Sequence, residues 1–382
     1  MKKRVFVLTM ILLLSLIATS TVSAGTSPKL PGWEQVFDPH YYLGEDVIAE
    51  SGVEFKGKLY FKFEGETTGN QVWVTKNGKD WSFAWSANDI QAGYDGIYLL
   101  SVFKGQMYAV IGDWDEELPG LVVRSSDGRH WEEVVTFPLD GEMGDWMSGG
   151  FTSFQGWLYA GACGFSEDGM VCGLWRSISG DPNTWEHVAV FPGWNDIASF
   201  ATFKGALYVS SLFVPGEEAL SPAQVYRSLD GVNWEPVTLD GFGDEGNIAT
   251  WSFGQKGSYL YLGLGNFNGG QIWRTKDGMH WQPVTQDGLV DPSNLAFGFV
   301  TYQNMLYAYS LNGDEGCRVY TSKDGLNYTP ANEPGWGNIA NQQVQTDNAW
   351  VIFKGALYMG ASGWVAPAPG GVFRLGPPKG NN

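Results

Sequence analysis

Histidine is scarce in this chain of 382 residues, and several familiar site motifs are missing altogether. The four histidines include no pair at the spacing that a zinc-binding motif needs. They are His40, His130, His187 and His280. No Gly-x-Ser-x-Gly string and no phosphate-binding glycine loop occurs either. These absences exclude the common zinc motifs, nucleotide loops and serine-hydrolase elbows, and we expect no resident metal at histidine.

Cysteine is also rare, with three residues in the whole sequence. Cys163 and Cys172 flank the string GFSEDGMV, on what we interpret as the second and third strands of one hairpin. Two cysteines facing each other across such a hairpin can form a disulfide, which is typical of exported proteins. Cys317 has no evident mate and is interpreted as a buried thiol.

Long apolar runs are missing after the first 24 residues. The opening MKKRVFVLTMILLLSLIATSTVSA has a basic start, a short apolar stretch, and small residues Val22 and Ala24 before a cleavage site. We interpret residues 1–24 as a secretory signal peptide that is cleaved near Ala24. Nothing later is a continuous apolar run of about 18 residues, so no transmembrane segment is expected after signal removal.

Positive charge is sparse, because 23 lysines and arginines face 41 aspartates and glutamates, for a net charge of −18. Phosphate backbones repel such a chain, so no nucleic-acid partner is expected. The acidity suits a soluble extracellular surface. No cofactor is expected; Ca²⁺ is left open, although the strings DWDEE and DGEMGD lack the full calcium-loop pattern.

Glycine and aromatic residues are abundant, and no segment keeps a helical apolar rhythm. The string F-x-G-x-L-Y returns with variations, its final tyrosines lying between 46 and 53 residues apart. Those tyrosines are Tyr60, Tyr108, Tyr159, Tyr208, Tyr261, Tyr307 and Tyr358. A second string with an Asp-Gly or Asn-Gly pair and a following aromatic comes about 20 residues later in most units. Examples are TKNGKDW, SSDGRHW, SLDGVNW, TKDGMHW and SKDGLNY.

Seven units of about 50 residues, each with several β-type runs, predict an all-β protein: a single seven-bladed β-propeller with four-stranded blades. The last unit lacks its outer strand, and the segment GWEQVF near the start resembles the outer strands HWEEVV and NWEPVT. We therefore expect Trp33 to Val36 to complete the last blade and close the ring. The propeller spans residues 25–378 as one domain, and residues 379–382 form a short tail.

The S-x-D-G-x-x-W strings resemble the Asp-box, or bacterial neuraminidase repeat, of the sialidase-like superfamily. SSDGRHW, SLDGVNW, TKDGMHW and SKDGLNY carry the resemblance, although the usual box has one more residue between Asp and Gly and the third unit has SISGDPNTW. The resemblance implies the propeller fold, with the boxes in a structural role.

Sialidase activity is not expected, because the arginine pattern is wrong for it. Sialidases grip a carboxylate with three converging arginines, and no R-x-P string occurs here. Five arginines instead occupy one equivalent third-strand position in five blades, and arginines related by ring symmetry do not converge on one substrate. They are Arg124, Arg176, Arg227, Arg274 and Arg374.

The candidate binding surface lies opposite the turns, where the loops differ from blade to blade. In a propeller, the F-x-G and Asp-Gly turns share one face, and the loops entering the inner strands share the other. Carboxylates, amides and tryptophans on those loops suit sugar hydroxyls and the C–H faces of sugar rings. The predicted ligand-binding residues are Asp95, Asp145, Trp146, Trp194, Asp196, Asn247, Trp251, Asn294, Trp336 and Asp347.

We therefore predict an exported, monomeric propeller that binds an extracellular ligand, most simply a glycan, rather than an enzyme. One alternative is a glycoside hydrolase with paired carboxylates, for which Asp145 and Asp196 are the candidates, like the double-propeller Asp-box xyloglucanases. A polysaccharide lyase with His40 as base is a second alternative. A non-catalytic scaffold that binds another protein is a third.

Overall fold

The computed structural model describes residues 30, 32–112, 118, 120–136, 150–166, 169–194, 196–212, 222–344, 349–363 and 368–376. Strands dominate, and helices are limited to α1 (Pro39–Tyr42), α2 (Ala87–Ile90) and a 3-10 turn at Pro334–Gly337 within these ranges. In the described part of the chain, no helix is long and apolar enough to cross a bilayer.

The strands follow one another in groups of four, each antiparallel to its neighbour. The first three groups are β2 (Val47–Phe55), β3 (Lys58–Gly65), β4 (Gly69–Thr75) and β5 (Trp81–Ser86); β6 (Gly96–Phe103), β7 (Gln106–Gly112), β8 (Leu121–Ser125) and β9 (Glu132–Thr136); β10 (Phe151–Phe154), β11 (Trp157–Ser166), β12 (Gly169–Ser177) and β13 (Trp185–Pro192). The next two are β14 (Asp196–Phe203), β15 (Ala206–Leu212), β16 (Val225–Ser228) and β17 (Trp234–Thr238); β18 (Ala249–Lys256), β19 (Tyr259–Gly265), β20 (Gln271–Thr275) and β21 (Trp281–Thr285). The last are β22 (Asn294–Tyr302), β23 (Met305–Asn312), β24 (Val319–Ser322) and β25 (Thr329–Pro330); β26 (Trp350–Phe353), β27 (Ala356–Ala361), β28 (Gly371–Leu375) and β1 (Trp33–Phe37).

The prediction of an all-β propeller built from four-stranded sheets is confirmed. The count of separate sheets differs from the predicted seven: five four-stranded sheets stand alone, and strands β14–β21 form one eight-stranded sheet. A single pairing of Leu212 with Ala249 joins the two halves of that sheet. The junction arises because the end of β15 meets the start of the next inner strand.

The N-terminal strand lies where the sequence predicted it. Trp33 in β1 pairs with Leu375 in β28, and Gln35 pairs with Phe373, which makes β1 the outermost strand of the last sheet. Phe37 is fully buried and stacks on Phe63 of the β2–β5 sheet, with ring centroids 4.0 Å apart. Both ends of the chain are thus tied into the ring.

The two repeated strings of the sequence meet in space. Ser228 Oγ accepts a hydrogen bond from the Gly231 amide at 2.7 Å, and Asp230 Oδ1 accepts one from Asn233 at 2.7 Å, which closes the turn between β16 and β17. Gly231 has a positive φ of 75°, and a side chain there would collide with the Tyr159 hydroxyl of the preceding sheet. The same tyrosine-to-glycine contact joins Tyr60 with Gly128, Tyr108 with Gly180, Tyr208 with Gly278, Tyr261 with Gly325 and Tyr358 with Gly78.

The core therefore consists of interfaces between neighbouring sheets. Phe61 of β3 packs with Val351 and Phe353 of β26, which belong to the last sheet. On the turn side, Lys104 Nζ crosses to the Ile178 carbonyl at 2.6 Å and Gln155 Nε2 crosses to the Leu229 carbonyl at 3.0 Å. We call the surface formed by the F-x-G and Asp-Gly turns the turn face, and the opposite surface, where the inner strands begin, the rim face.

The predicted disulfide is confirmed. Cys163 in β11 and Cys172 in β12 are directly paired across the hairpin and are bonded to each other. Cys317 is a free, fully buried thiol, as predicted, and its burial raises its pKa to about 12.

Candidate functional site

Part of the predicted site is outside the described residues. Asp145, Trp146 and Asp347 lie in the ranges 137–149 and 345–348. The remaining predicted residues can be placed: Asp95, Trp194, Asp196, Asn247, Trp251, Asn294 and Trp336.

The two predicted asparagines are buried within the loops that enter the inner strands. Asn247 and Asn294 are completely buried, and the Nδ2 atom of each donates to the carbonyl of the glycine six residues earlier, at 2.8 Å. Asn341, which was not predicted as a site residue, does the same at 2.9 Å. The three asparagines are 47 residues apart, so the spacing itself could have indicated a repeated loop brace. Their amides are used inside the protein and do not face the surface.

The predicted tryptophans also pack inside the fold. Trp194 is 1% exposed, stacks on Phe191 at 4.4 Å, and donates from Nε1 to Gln224. Trp336 is half-buried and stacks on Phe373 at 4.7 Å, which covers the closing strand pair. Trp251 is buried in the interface with the β22–β25 sheet. The structure thus gives these rings a packing role.

Asp196 is the first residue of β14 and is half-buried opposite Leu212. Its predicted catalytic partner Asp145 lies outside the described residues. Asp95 is exposed just before β6, where its charge acts on Glu64 of the neighbouring sheet. That contact leads to a cluster of charged groups in which Asp95 is the one residue that was predicted from the sequence.

The cluster forms around a fully buried lysine. Lys62 in β3 is 1% exposed, and its Nζ binds the Glu50 carboxylate and lies 3.5 Å from Glu64 Oε2. Glu50 is the extra residue of a bulge in β2, between Ala49 and Ser51. Bulges re-aim side chains, and they are frequent beside functional sites. We call Glu50, Lys62, Glu64 and Asp95 the acidic cluster.

The bulge recurs in other inner strands, with a different residue each time. Breaks in strand register place an extra residue at the equivalent point of β6, β14, β18 and β22. Those extra residues are Tyr98, Ala198, Trp251 and Leu295. Five inner strands, β2, β6, β14, β18 and β22, therefore each have one variable bulge position, and Glu50 is the charged residue among the five.

The two glutamates of the cluster have unlike environments. Burial raises the pKa of Glu64, and the negative charges of Glu50 and Asp95 raise it further, while Lys62 opposes them. The side chain of Glu64 keeps 28% of its exposure and that of Glu50 keeps 23%, so both carboxyls can be reached from solvent. A carboxyl whose pKa is raised, next to a second carboxylate that a buried lysine binds, is an arrangement suited to proton transfer.

A second polar pair lies on the same rim, in the loop between β1 and β2. His40 Nε2 is 2.8 Å from Asp46 Oδ1, and their side chains are 57% and 42% exposed. Tyr41 beside them is 81% exposed. Glu45 in the same loop accepts the backbone amides of Thr67 and Thr68, both at 2.8 Å, and so anchors the loop on the β3–β4 turn.

Metal ligation is not indicated in the described ranges, where no group of three or more His, Cys, Asp or Glu side chains is arranged to hold an ion. The repeated arginines are engaged on the turn side of the sheets. Arg124, Arg176 and Arg227 pair with Glu132, Glu186 and Glu235 on the adjacent outer strands. Arg374 pairs with Glu34 in the same way across the closing strands.

No protein-family model and no curated protein matches this chain. Among solved structures, a puromycin-hydrolyzing peptidase of Mycobacterium tuberculosis matches with a TM-score of 0.56 and 11% identity, over 93% of this chain and 56% of that one. The chain thus spans little more than half the length of that peptidase. An ulvan lyase of polysaccharide lyase family PL25, with bound -[GlcA(1-4)Rha3S]-, matches with a TM-score of 0.54 and 10% identity, over 91% of this chain and 96% of that one. The polysaccharide lyase Uly1 gives 0.51 and 10%, over 91% and 99%. These likenesses show the propeller fold.

Proposed function

We propose that this chain is an exported, seven-bladed propeller of the Asp-box type that binds neutral carbohydrate at its rim face, centred on the acidic cluster. Seven blades follow if the eight-stranded sheet is two blades, because each half has its own inner strand and its own Asp-Gly hairpin. The hydroxyl and carboxylate bonds within those hairpins support the likeness to Asp-boxes. Export is supported by the disulfide.

The buried Lys62 is the observation that carries the binding proposal. Its ammonium group holds two partly exposed carboxylates in place at the start of the inner strands. Carboxylates that are already oriented lose little entropy when they accept hydrogen bonds from sugar hydroxyls. The exposed ring of Tyr41 in the loop before β2 provides an apolar surface on the same rim.

The charge of the rim face selects the class of glycan. Described carboxylates on this face include Glu45, Asp46, Asp244, Glu245 and Asp291, and the described lysines and arginines there are Lys62 and Arg318. A uronate or sulfated polymer would be repelled by such a surface. Neutral hydroxyl-rich chains are therefore the preferred ligands.

Binding can be tested by titrating neutral oligosaccharides of several backbone types against the secreted protein in a calorimeter. We expect saturable binding to at least one of them, and loss of about tenfold or more in affinity for Glu50→Gln, because charged hydrogen bonds are worth roughly twice neutral ones. Glu133→Gln is the matched control, since Glu133 is exposed on β9 near the turn face. Equal affinity of the two variants would refute the role of the acidic cluster, and absence of binding to every glycan would refute the function.

A glycan-cleaving enzyme is the second candidate, and the unlike environments of Glu50 and Glu64 favour it. Hydrolysis needs one carboxyl that donates a proton to the leaving oxygen. It also needs a second, ionised carboxyl that either attacks the sugar or activates a water molecule. The His40–Asp46 pair would instead suit proton abstraction by a lyase. The alignments cover 96% and 99% of the two polysaccharide lyases, so a chain of about this length and fold is enough for a polysaccharide-acting protein.

Product formation distinguishes these activities. New reducing ends without ultraviolet absorbance indicate hydrolysis, and an absorbing unsaturated end indicates elimination. Glu64→Gln should abolish the first activity, and His40→Ala should abolish the second. Binding without products would contradict both and leave the lectin proposal standing.

A further inference from the structure

The turn face differs from the rim face in charge. Among the described residues, every lysine and arginine except Lys62 and Arg318 lies on the turn face or on the strand ends next to it. Lys76, Lys276 and Lys323 are exposed at the second position of their turns. Asp277 and Asp324, in the turns of Lys276 and Lys323, accept backbone N–H groups, so part of their charge is compensated by amide dipoles.

The same turns expose large apolar side chains at their tips. Leu229 is 61% exposed, Leu326 47% and Ile178 45%, although each belongs to a tight hairpin that does not need an apolar residue there. Val232 is exposed beside Leu229 in the same hairpin, and Met279 is exposed in the next one. Apolar side chains that project beside lysines, on one face of a rigid body, are the pattern of proteins that rest on a membrane interface.

Strand β1 begins and strand β28 ends at this face as well. Trp33 is opposite Leu375, and Leu375 is opposite Leu357, next to the F-x-G turn of the last sheet. Any segment attached before β1 or after β28 would begin on the turn side. The turn face is therefore also the face at which β1 begins and β28 ends.

We propose that the turn face is a peripheral docking surface for an anionic phospholipid bilayer, on which the apolar turn tips enter the interface and the lysines face the headgroup phosphates. The disc then lies flat, with the rim face directed away from the membrane. Each lysine near an anionic bilayer adds about 1 kcal/mol of attraction, and this attraction falls off within about one Debye length, so the acidic rim on the far side opposes it little. The proposal goes beyond glycan binding and does not depend on it.

Vesicle sedimentation tests the proposal on the protein that starts near Gly25, because a retained leader would bind lipid by itself. Binding should rise with the phosphatidylglycerol content of phosphatidylcholine vesicles and fall with added salt. Lys276→Glu with Lys323→Glu should weaken binding at least tenfold, and Ile178→Asp with Leu229→Asp should weaken it by a similar factor. Val290→Asp is the matched control, since Val290 is 89% exposed on the rim face.

Equal binding to neutral and anionic vesicles would overturn the proposal, and so would an equal loss of binding in Val290→Asp and in the turn variants. Capture by inorganic phosphate or a soluble polyanion, with no vesicle binding, would also refute a bilayer partner. Far-ultraviolet circular dichroism checks that each variant is folded. Glycan titration of the turn variants should be unchanged, so the failure of one function is distinguishable from failure of the other.

Discussion

The two faces of this propeller are built from the same strands under different constraints. On the turn face, one contact recurs six times, a buried tyrosine against the glycine of the next hairpin, because neighbouring sheets must meet at that point. On the rim face, the bulge residue differs among the five inner strands that have one, from Glu50 to Tyr98 and Trp251. Repetition therefore marks the positions that hold the ring together, and divergence marks those that are free to acquire chemistry.

The rim face nevertheless contains a repeat of its own. Asn247, Asn294 and Asn341 brace three successive loops by the same hydrogen bond to a glycine carbonyl. The residues between these asparagines vary, so the constant spacing of 47 residues is the signal of the brace in the sequence. Four measurements test whether the two faces differ in this way.

The largest effect is expected at a turn-face glycine. Gly231→Ala should lower the free energy of unfolding by about 3 kcal/mol or more, because the new methyl group meets the Tyr159 hydroxyl and φ is positive. Gly205→Ala is the control, since Gly205 has φ of 79° but nothing within 4 Å of an added Cβ, and should lose about 1 kcal/mol. Urea unfolding measures both; equal losses would show that strain alone, and not the tyrosine contact, requires glycine.

A smaller loss is expected from the disulfide, which ties a single hairpin. Replacing Cys163 and Cys172 together by alanine should reduce the free energy of unfolding by about 2.5 kcal/mol, from the added freedom of a short loop in the unfolded chain. The wild-type protein in reductant should unfold at the same urea concentration as the variant. A variant as stable as the oxidised protein would contradict this.

We expect the loss of one asparagine brace on the rim face to lower the free energy of unfolding slightly less than the loss of the disulfide does. Asn294→Ala leaves the Gly288 carbonyl and the Tyr320 hydroxyl without their buried donor, so we expect a loss of about 2 kcal/mol in unfolding free energy. Asn268→Ala, at an exposed loop residue, should change it by less than about 0.5 kcal/mol. If both variants unfold with nearly the free energy of the wild-type protein, Asn294 has no structural role, and the prediction that it binds ligand is favoured again.

The smallest expected effect is a difference in how the free energy of unfolding depends on pH, between Asp230 on the turn face and Glu64 on the rim face. Backbone and side-chain hydrogen bonds from Asn233 and the Val232 amide lower the pKa of Asp230, so its stabilising contribution exists above the usual carboxyl range and is lost as pH falls below about 4. The contribution of Glu64 to stability changes with pH in the opposite direction. Because its pKa is raised, stability falls as pH rises through and above the usual carboxyl range.

Unfolding followed from about pH 3 to pH 7 tests this pair of signs. Asp230→Asn should flatten the acid limb of the stability curve, and Glu64→Gln should flatten the decline toward neutral pH. Identical slopes in the two variants would mean that the two carboxyls do not differ as proposed.

Much of the fold could be read from the sequence because propeller units are local. The F-x-G turns, the Asp-Gly hairpins and the Cys163–Cys172 pairing each involve strands that are adjacent in the chain. The closing pair of Trp33 with Leu375 is distant in sequence, and was predictable because the last unit visibly lacks one strand. The continuity of the eight-stranded sheet was not predictable, since it depends on one pairing at Leu212.

The candidate site that we propose from the structure differs from the one predicted from the sequence. Residue type and loop position pointed to Trp194, Asn247 and Asn294, and the structure places all three in the interior. Lys62 was missed because one lysine in an alternating strand carries no signal of burial. Glu50 was missed because the bulge that turns it toward Lys62 is a property of strand pairing, which letters alone do not display.

A ring of short antiparallel strands, its closure by the first strand, and the disulfide all follow from the order of amino acids, because each depends on repeated local patterns. Three-dimensional packing, and not the order of amino acids, decides which polar residues are buried as braces and which reach solvent. The same packing joins Glu50 and Glu64 through the ammonium group of Lys62. It also places the described lysines and arginines other than Lys62 and Arg318 on or next to the turn face. Those outcomes depend on how neighbouring sheets pack and where a strand bulges, and both are set by contacts between residues of different strands.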